Sequence, residues 1–177
     1  MTRHGGNMEI GVIGLGRMGA SMARRMARGG ARVLAYDRDP AARAALADEG
    51  GVECVDGPAA LAAKLGGERV VLLMLPAGPA TEDTLAALLP LLSAGDTLVD
   101  GGNAFYKDSM QRALEMSQRG LRYIDAGVSG GVHGLDNGYC LMLGGTPKSV
   151  ERFEPFVRLL APAPDRGWLH CGPSGAG

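Results

Sequence analysis

Met8 to Asp37 reads MEIGVIGLGRMGASMARRMARGGARVLAYD, and this stretch decides the fold. A short apolar run, Ile10, Val12 and Ile13, leads directly into Gly14-Leu15-Gly16-Arg17-Met18-Gly19. Met18, Met22 and Met26 then recur at i, i+4 and i+8, which places them on one helical face. Gly29-Gly30 stops that helix, with Arg24, Arg25 and Arg28 near its negative end. A second apolar run, Arg32 to Tyr36, closes on Asp37, eighteen residues past Gly19. The order strand, glycine turn, helix, strand and carboxylate is that of a dinucleotide-binding unit.

Each spacing has a physical reason. Gly14 permits the tight turn out of the strand, Gly16 lets a pyrophosphate approach the backbone, and Gly19 lets the helix pack close to the sheet. The helix start adds unpaired N–H groups and roughly half a positive charge. Without a ligand the same motif would be a tightly packed glycine turn. Both strands, the helix and Asp37 standing in register favour the dinucleotide.

The rest of the chain sets the bounds. With 177 residues, 46% of them apolar, it can bury a full core as one domain, and its first seven residues, MTRHGGN, read as a flexible polar lead-in to a domain over 8–177. A net charge of −1 gives no field that would attract nucleic acid or an anionic membrane. No apolar run approaches the ~18 residues of a membrane span, and no signal-peptide core is visible. Three scattered cysteines, Cys54, Cys140 and Cys171, lack metal-ligand spacing and suit reduced thiols in the cytoplasm.

Past Asp37, Asp39-Pro40 opens a helix over 41–48, and 58–65 reads as another. Arg69 to Leu75, RVVLLML, is apolar without alternation, as in a parallel strand buried on both faces. Pro76-Ala77-Gly78-Pro79 breaks it, and a helix follows over 81–92. A third buried strand, Thr97 to Asp100, opens onto Gly101-Gly102-Asn103 and a helix over 105–118. A fourth, Leu121 to Ala126, opens onto 127–131. Residues 139–143 suggest an antiparallel addition, 148–160 a helix, and Trp168 to His170 a last strand. This alternation predicts an α/β fold, a Rossmann-like doubly wound and mostly parallel sheet.

In such sheets ligands sit beyond the carboxyl ends of the strands, where 14–19, 75–79, 101–103 and 127–131 gather. Pro76 to Pro79 forms a stiff apolar wall, or a simple strand-ending turn. Asn103 can donate to and accept from a hydroxylated ligand, or cap its own turn. Ser129-Gly130-Gly131 offers a hydroxyl and two unhindered N–H groups to oxyanions, or is a plain glycine loop. Lys107 can meet an anionic ligand or solvate its helix start. His4, His133 and His170 have no acidic partner at a recognisable spacing, and neither a metal cluster nor a Ser-His-Asp set is visible.

Together, GLGRMG, DGGNAFYKDS (Asp100 to Ser109), GVSGGVHGLDNGYCLMLGG (Gly127 to Gly145) and the closing CGPSGAG resemble 6-phosphogluconate dehydrogenase, most closely its NAD-dependent bacterial branch. The resemblance implies an amino-terminal Rossmann-like domain of an oxidoreductase of gluconate metabolism and the pentose phosphate pathway. That enzyme oxidises 6-phosphogluconate at its third carbon and decarboxylates the product to ribulose 5-phosphate. It further implies cofactor contacts at Gly14, Leu15, Gly16, Arg17, Met18 and Gly19, at Asp37 and Arg38, and at Leu75, Pro76 and Ala77. Asn103 would touch cofactor and substrate, and Ser129, Gly130 and Gly131 would hold the sugar acid. NADP-type members carry Asn-Arg-Thr where this chain has Asp37-Arg38-Asp39, and Val-Lys where it has Leu75-Pro76, which points to NAD rather than NADP.

In that family SGAG leads into a helix bearing a His and the catalytic Lys, with an Asn and the acid Glu further on, within a large all-helical domain that forms the homo-oligomer. This sequence stops at Gly177, and none of Lys64, Lys107 or Lys148 stands in an equivalent place. The expectation is a cofactor domain without catalytic residues of its own, inactive as 177 residues. Two other readings stay open: an NAD-binding module without turnover, and a domain of a related β-hydroxyacid dehydrogenase, which shares GLGxMG and an SGG loop.

Overall fold

The computed structural model describes residues 8–177; the expected lead-in over 1–7 lies outside the described residues. A single eight-stranded sheet runs in the order β3-β2-β1-β4-β5-β6-β7-β8. Its strands are β1 (Glu9–Ile13), β2 (Arg32–Tyr36), β3 (Val52–Cys54), β4 (Val70–Leu73), β5 (Thr97–Asp100), β6 (Arg122–Ser129), β7 (Cys140–Gly145) and β8 (Trp168–Gly172). The first six are parallel, β7 pairs antiparallel with β6, and β8 runs parallel to β7. Strand order reverses between β1 and β4, which creates the crevice where such sheets take ligands.

Among the described residues, seven α-helices cover the two faces: α1 (Arg17–Arg28), α2 (Pro40–Ala44), α3 (Pro58–Lys64), α4 (Pro79–Leu88), α5 (Tyr106–Gln118), α6 (Gly134–Asn137) and α7 (Pro147–Leu160). Four of them begin on proline, whose missing N–H costs nothing in a first turn. One core layer joins Ile10, Val12, Met22, Met26, Phe153 and Phe156; the other joins Ile13, Leu34, Leu61, Leu73, Leu85 and Met116. Because both faces are covered, β4 is buried throughout and needs no polar alternation.

Two local expectations change, and Arg25 takes a further role. The helix expected over 41–48 ends at Ala44, and the following turns lead into β3, an edge strand that the sequence did not announce. The loop expected from Gly127 starts later, because β7 gives Gly127, Val128 and Ser129 ladder partners in Met142, Leu141 and Cys140. Arg25 reaches beyond its own helix end. Its guanidinium donates to the carbonyls of Leu159, Leu160 and Ala161 at the end of α7, and to those of Leu135 and Asp136 in α6. One cation on α1 thereby satisfies the open carboxyl end of α7 and braces α6.

Candidate functional site

The Gly14–Gly19 turn has two closed positions and one open one. Gly14 adopts φ +94°, and a Cβ there would stand 2.4 Å from the Met74 carbonyl oxygen. A Cβ on Gly19 would lie 1.9 Å from the Gly14 carbonyl oxygen, so the helix start and the strand end touch through backbone. Gly16 is exposed, with nothing within 4 Å of the place a Cβ would take. No acidic residue occupies the first turn of α1, and Arg17 beside it is exposed while Met18 leans on the core. An open backbone at the positive end of a helix is a cradle for a pyrophosphate.

Asp37 stands at the end of β2. Its Oδ2 accepts the Leu15 N–H at 2.7 Å and its Oδ1 the Asp39 N–H at 2.9 Å. The carboxylate thus ties the glycine turn to the second strand, and each oxygen retains a lone pair for another donor. Capping of α2 falls to Asp39, whose side chain accepts the Ala41 N–H at 2.9 Å. Arg38 beside them is exposed.

Beyond β4, Leu75 is half-buried while Pro76 and Ala77 are exposed. The buried Thr81 hydroxyl donates to the Pro76 carbonyl at 2.9 Å, which holds the wall against α4. The next loop packs directly on this one: a Cβ on Gly102 would lie 2.3 Å from the Leu75 carbonyl oxygen. Among the described residues, Asn103 is the one non-glycine position with positive φ, at +56°. Asn tolerates that conformation better than other side chains, and such outliers gather at functional sites.

Beneath Asn103 lies a charged network that sequence reading missed. Asp100 is buried; its Oδ1 accepts the Gly102 N–H at 2.9 Å, and its Oδ2 accepts Arg112 Nη1 at 2.9 Å and the Tyr123 hydroxyl at 3.1 Å. Arg112, also buried, continues to Glu82 on α4. Burial, reinforced by the neighbouring Asp100 carboxylate, pushes the Tyr123 phenol well above its ordinary pKa. The available signal was an aspartate inside an apolar strand, which is costly to bury unless it is bonded.

A cleft opens over this network, lined by Asp100, Asn103, Tyr106, Asp125, Gly127 and Gly175 among others. Ser129, Gly130 and Gly131 do not line it; they lie further along at the exposed end of β6. Their support is the fully buried Tyr139 ring, whose Cδ1 would be 3.0 Å from a Cβ on Gly130. Lys107 is exposed, its ammonium 6.0 Å from the Phe105 ring centroid and 5.9 Å from that of Tyr106. His170 Nε2 lies 2.9 Å from the carbonyls of Gly145 and Gly172, a structural bridge at the far edge of the sheet, while His133 is exposed.

Comparison with known proteins gives this geometry a context. The family model described as the NAD binding domain of 6-phosphogluconate dehydrogenase matches residues 9–168. An NAD(+)-dependent, decarboxylating 6-phosphogluconate dehydrogenase of Haloferax volcanii is 41% identical over 170 residues, covering 96% of this chain and 55% of that protein. Plasmodium falciparum 6-phosphogluconate dehydrogenase, solved with NADP+ and with 6-phosphogluconate, superposes with a TM-score of 0.86 at 26% identity, covering 96% of this chain and 38% of its own. A Mycobacterium tuberculosis 3-hydroxyisobutyrate dehydrogenase gives 0.85 at 28% identity, covering 96% and 56%. The chain spans about half the length, or less, of the relatives it matches.

Proposed function

The chain belongs to the family of the NAD-binding domain of 6-phosphogluconate dehydrogenase, and from that premise we propose that it serves as the NAD-holding domain of a decarboxylating enzyme acting on 6-phosphogluconate. The observation that carries this reading is the contact of three strand-end loops. Gly14 packs on Met74, and Gly102 packs on Leu75, both at distances that admit no side chain. Leu75, Pro76, Ala77 and Asn103 would thus border a dinucleotide held on the open Gly16 backbone. Bound there, NAD supplies the hydride acceptor for oxidation of the third carbon.

The chain's own residues have separate tasks. Gly14 to Gly19 hold the pyrophosphate, and Asp37 accepts from the adenosine ribose hydroxyls, with Arg38 lying against the adenine. Asn103 orients the sugar acid between cofactor and cleft, and Ser129, Gly130 and Gly131 bind its oxygens further along β6. Residues 8–177 act as one domain. Three unpaired thiols support a reducing, cytoplasmic setting, and no helix among the described residues is long and apolar enough to cross a membrane.

A general base is the missing part. Among the described residues no lysine lines the Asn103 cleft, and the two side-chain carboxylates that do, Asp100 and Asp125, are engaged by N–H and guanidinium donors. Loss of proton removal costs a factor of roughly 10²–10⁴. The 177-residue chain by itself therefore binds without useful turnover. Calorimetric titration with NAD, NADP, 6-phosphogluconate and 3-hydroxyisobutyrate, followed by an absorbance assay for reduced cofactor, tests this. NAD should bind more tightly than NADP, and the sugar acid more tightly than the hydroxy acid. Robust NADH formation, or preference for 3-hydroxyisobutyrate, would overturn the reading.

A further inference from the structure

Asp125 is buried on β6, yet it faces no cation in its hydrogen bonding: its Oδ1 accepts the Gly175 N–H and its Oδ2 the Gly177 N–H, each at 2.8 Å. A carboxylate spends both oxygens on one short turn, fifty residues away in sequence. We propose that Asp125 is a positioning residue for the sugar acid, clasping the Ser174–Gly177 turn so that it forms one wall of the Asn103 cleft. This rests on the substrate reading given above.

Three observations carry it. The turn lines the cleft: Gly175 and Gly177 stand among its wall residues with Asn103, Tyr106 and Gly127. The turn also has no room to move inward. Gly175 adopts φ +96°, and a Cβ there would meet Met110 Cγ at 2.9 Å, while one on Gly177 would lie 2.1 Å from the Asp125 carbonyl oxygen. Glycine is needed on the opposite side as well, since a Cβ on Gly144 would be 2.5 Å from Asp125 Oδ2. The backbone is threaded between α5 and the sheet, with Asp125 as its fastening.

The third observation is symmetry of role. Asp100 and Asp125 are register partners on adjacent parallel strands. Asp100 holds the Gly102 N–H and with it the Asn103 wall; Asp125 holds the two N–H groups of the opposite wall. Two neighbouring carboxylates thus set the distance between the walls by gripping backbone, and neither is spent on the ligand. Charge-assisted bonds of this kind are about twice as strong as neutral ones, which suits a wall that must hold its place.

The test is Asp125→Asn, which keeps the shape but replaces one acceptor by a donor pointed at an N–H, with Gly175→Ala as a second variant that displaces the turn without touching the buried carboxylate. Amide hydrogen exchange of Gly175 and Gly177 reports the clasp, and calorimetry reports NAD and 6-phosphogluconate affinity separately. Both variants should lose exchange protection at the turn and bind the sugar acid about tenfold more weakly, with NAD affinity unchanged within about twofold. Equal losses for both ligands would reduce Asp125 to a general structural role and overturn the proposal, as would unprotected amides in the wild type. Unchanged sugar-acid affinity in variants that have lost protection would overturn it too. A wild-type chain with protected amides that ignores 6-phosphogluconate refutes the substrate reading instead, while supporting the clasp.

Discussion

The glycine turn of β1–α1 and the Asn103 cleft stand on neighbouring strand ends of the same sheet, but they are held in different ways. The turn is fixed by backbone contact, within itself and against Met74, and by one carboxylate from the next strand. The cleft is fixed by buried charge drawn from β5, α5 and β6, by an exposed glutamate on α4, and by a turn near residue 175. A pyrophosphate is recognised by bare peptide groups, so its site needs the side chains removed. A sugar acid offers hydroxyls at particular positions, so its site needs side chains and walls held at particular places, and the holding groups lie beneath the surface.

The largest effect should come from breaking the cleft's support. Asp100→Ala leaves the buried Arg112 guanidinium without its 2.9 Å partner, facing the mostly exposed Glu82 and the neutral Tyr123 hydroxyl. Stability should fall by about 3–5 kcal/mol in urea unfolding. Adding Arg112→Met to that variant should recover a good part of the loss, because the uncompensated charge is gone. If the double variant is as unstable as the sum of the singles, the network is not the support described here.

The glycine turn should divide its two properties between two residues. Gly19→Ala forces a methyl group to 1.9 Å from a backbone oxygen and should cost about 3 kcal/mol of stability as well as binding. Gly16→Ala meets nothing within 4 Å and has an ordinary φ of −59°, so thermal unfolding should barely change. Its methyl group would occupy the place proposed for the pyrophosphate, and NAD affinity should drop about a hundredfold, or roughly 2.7 kcal/mol. A Gly16→Ala chain that binds NAD normally would remove the turn from the cofactor site.

Asp37 sharpens the comparison, since it belongs to the first region but works as the second does, by holding backbone. Replacing it with Ser should loosen the Leu15 N–H and weaken NAD, while loss of the like charge lets NADP bind more tightly. The ratio should move further than either affinity. At about 4 Å and an effective dielectric near 20, one pair of like charges repels by roughly 4 kcal/mol before screening. Wild-type preference for NAD should therefore be on the order of a hundredfold and should shrink about tenfold or more in Asp37→Ser. Parallel titrations with NAD and NADP decide it; a ratio that stays put assigns Asp37 to the turn alone.

How much of this was legible in the sequence follows the same division. The turn and its helix could be read because spacing is their mechanism: Gly14, Gly16, Gly19 and Asp37 carry their roles in their intervals. The buried strands could be read from apolar runs. β3 could not, because Val52 to Cys54 is only half-buried and owes its strand form to pairing with β2. The end of β6 was misjudged for a related reason: Gly127 looks like a loop until β7 supplies its partner. Asn103 was legible as a residue but not as a strained one. Asp125 was not legible at all, because its partners arrive fifty residues later, as two N–H groups that every sequence possesses.

The smallest expected effect reports on the cleft's support through pH. Tyr123 donates to Asp100 at 3.1 Å from a buried position, and burial together with that carboxylate raises its pKa. The folded state therefore holds the phenolic proton more tightly than the unfolded chain, where tyrosine titrates near pH ~10. Below that pH both states are protonated and the contribution is fully present. As pH rises above it, the unfolded chain releases the proton first, so stability falls by about 1.4 kcal/mol per pH unit until the folded pKa is reached. Tyr123→Phe has no such proton and should lack this slope, while costing about 1 kcal/mol near neutrality for the lost hydrogen bond. Urea unfolding of both chains from pH 8 to 11 should show the variant starting lower and the gap closing with pH. Parallel curves would mean that Tyr123 is not buried against Asp100 in solution, and that the cleft rests on Arg112 alone.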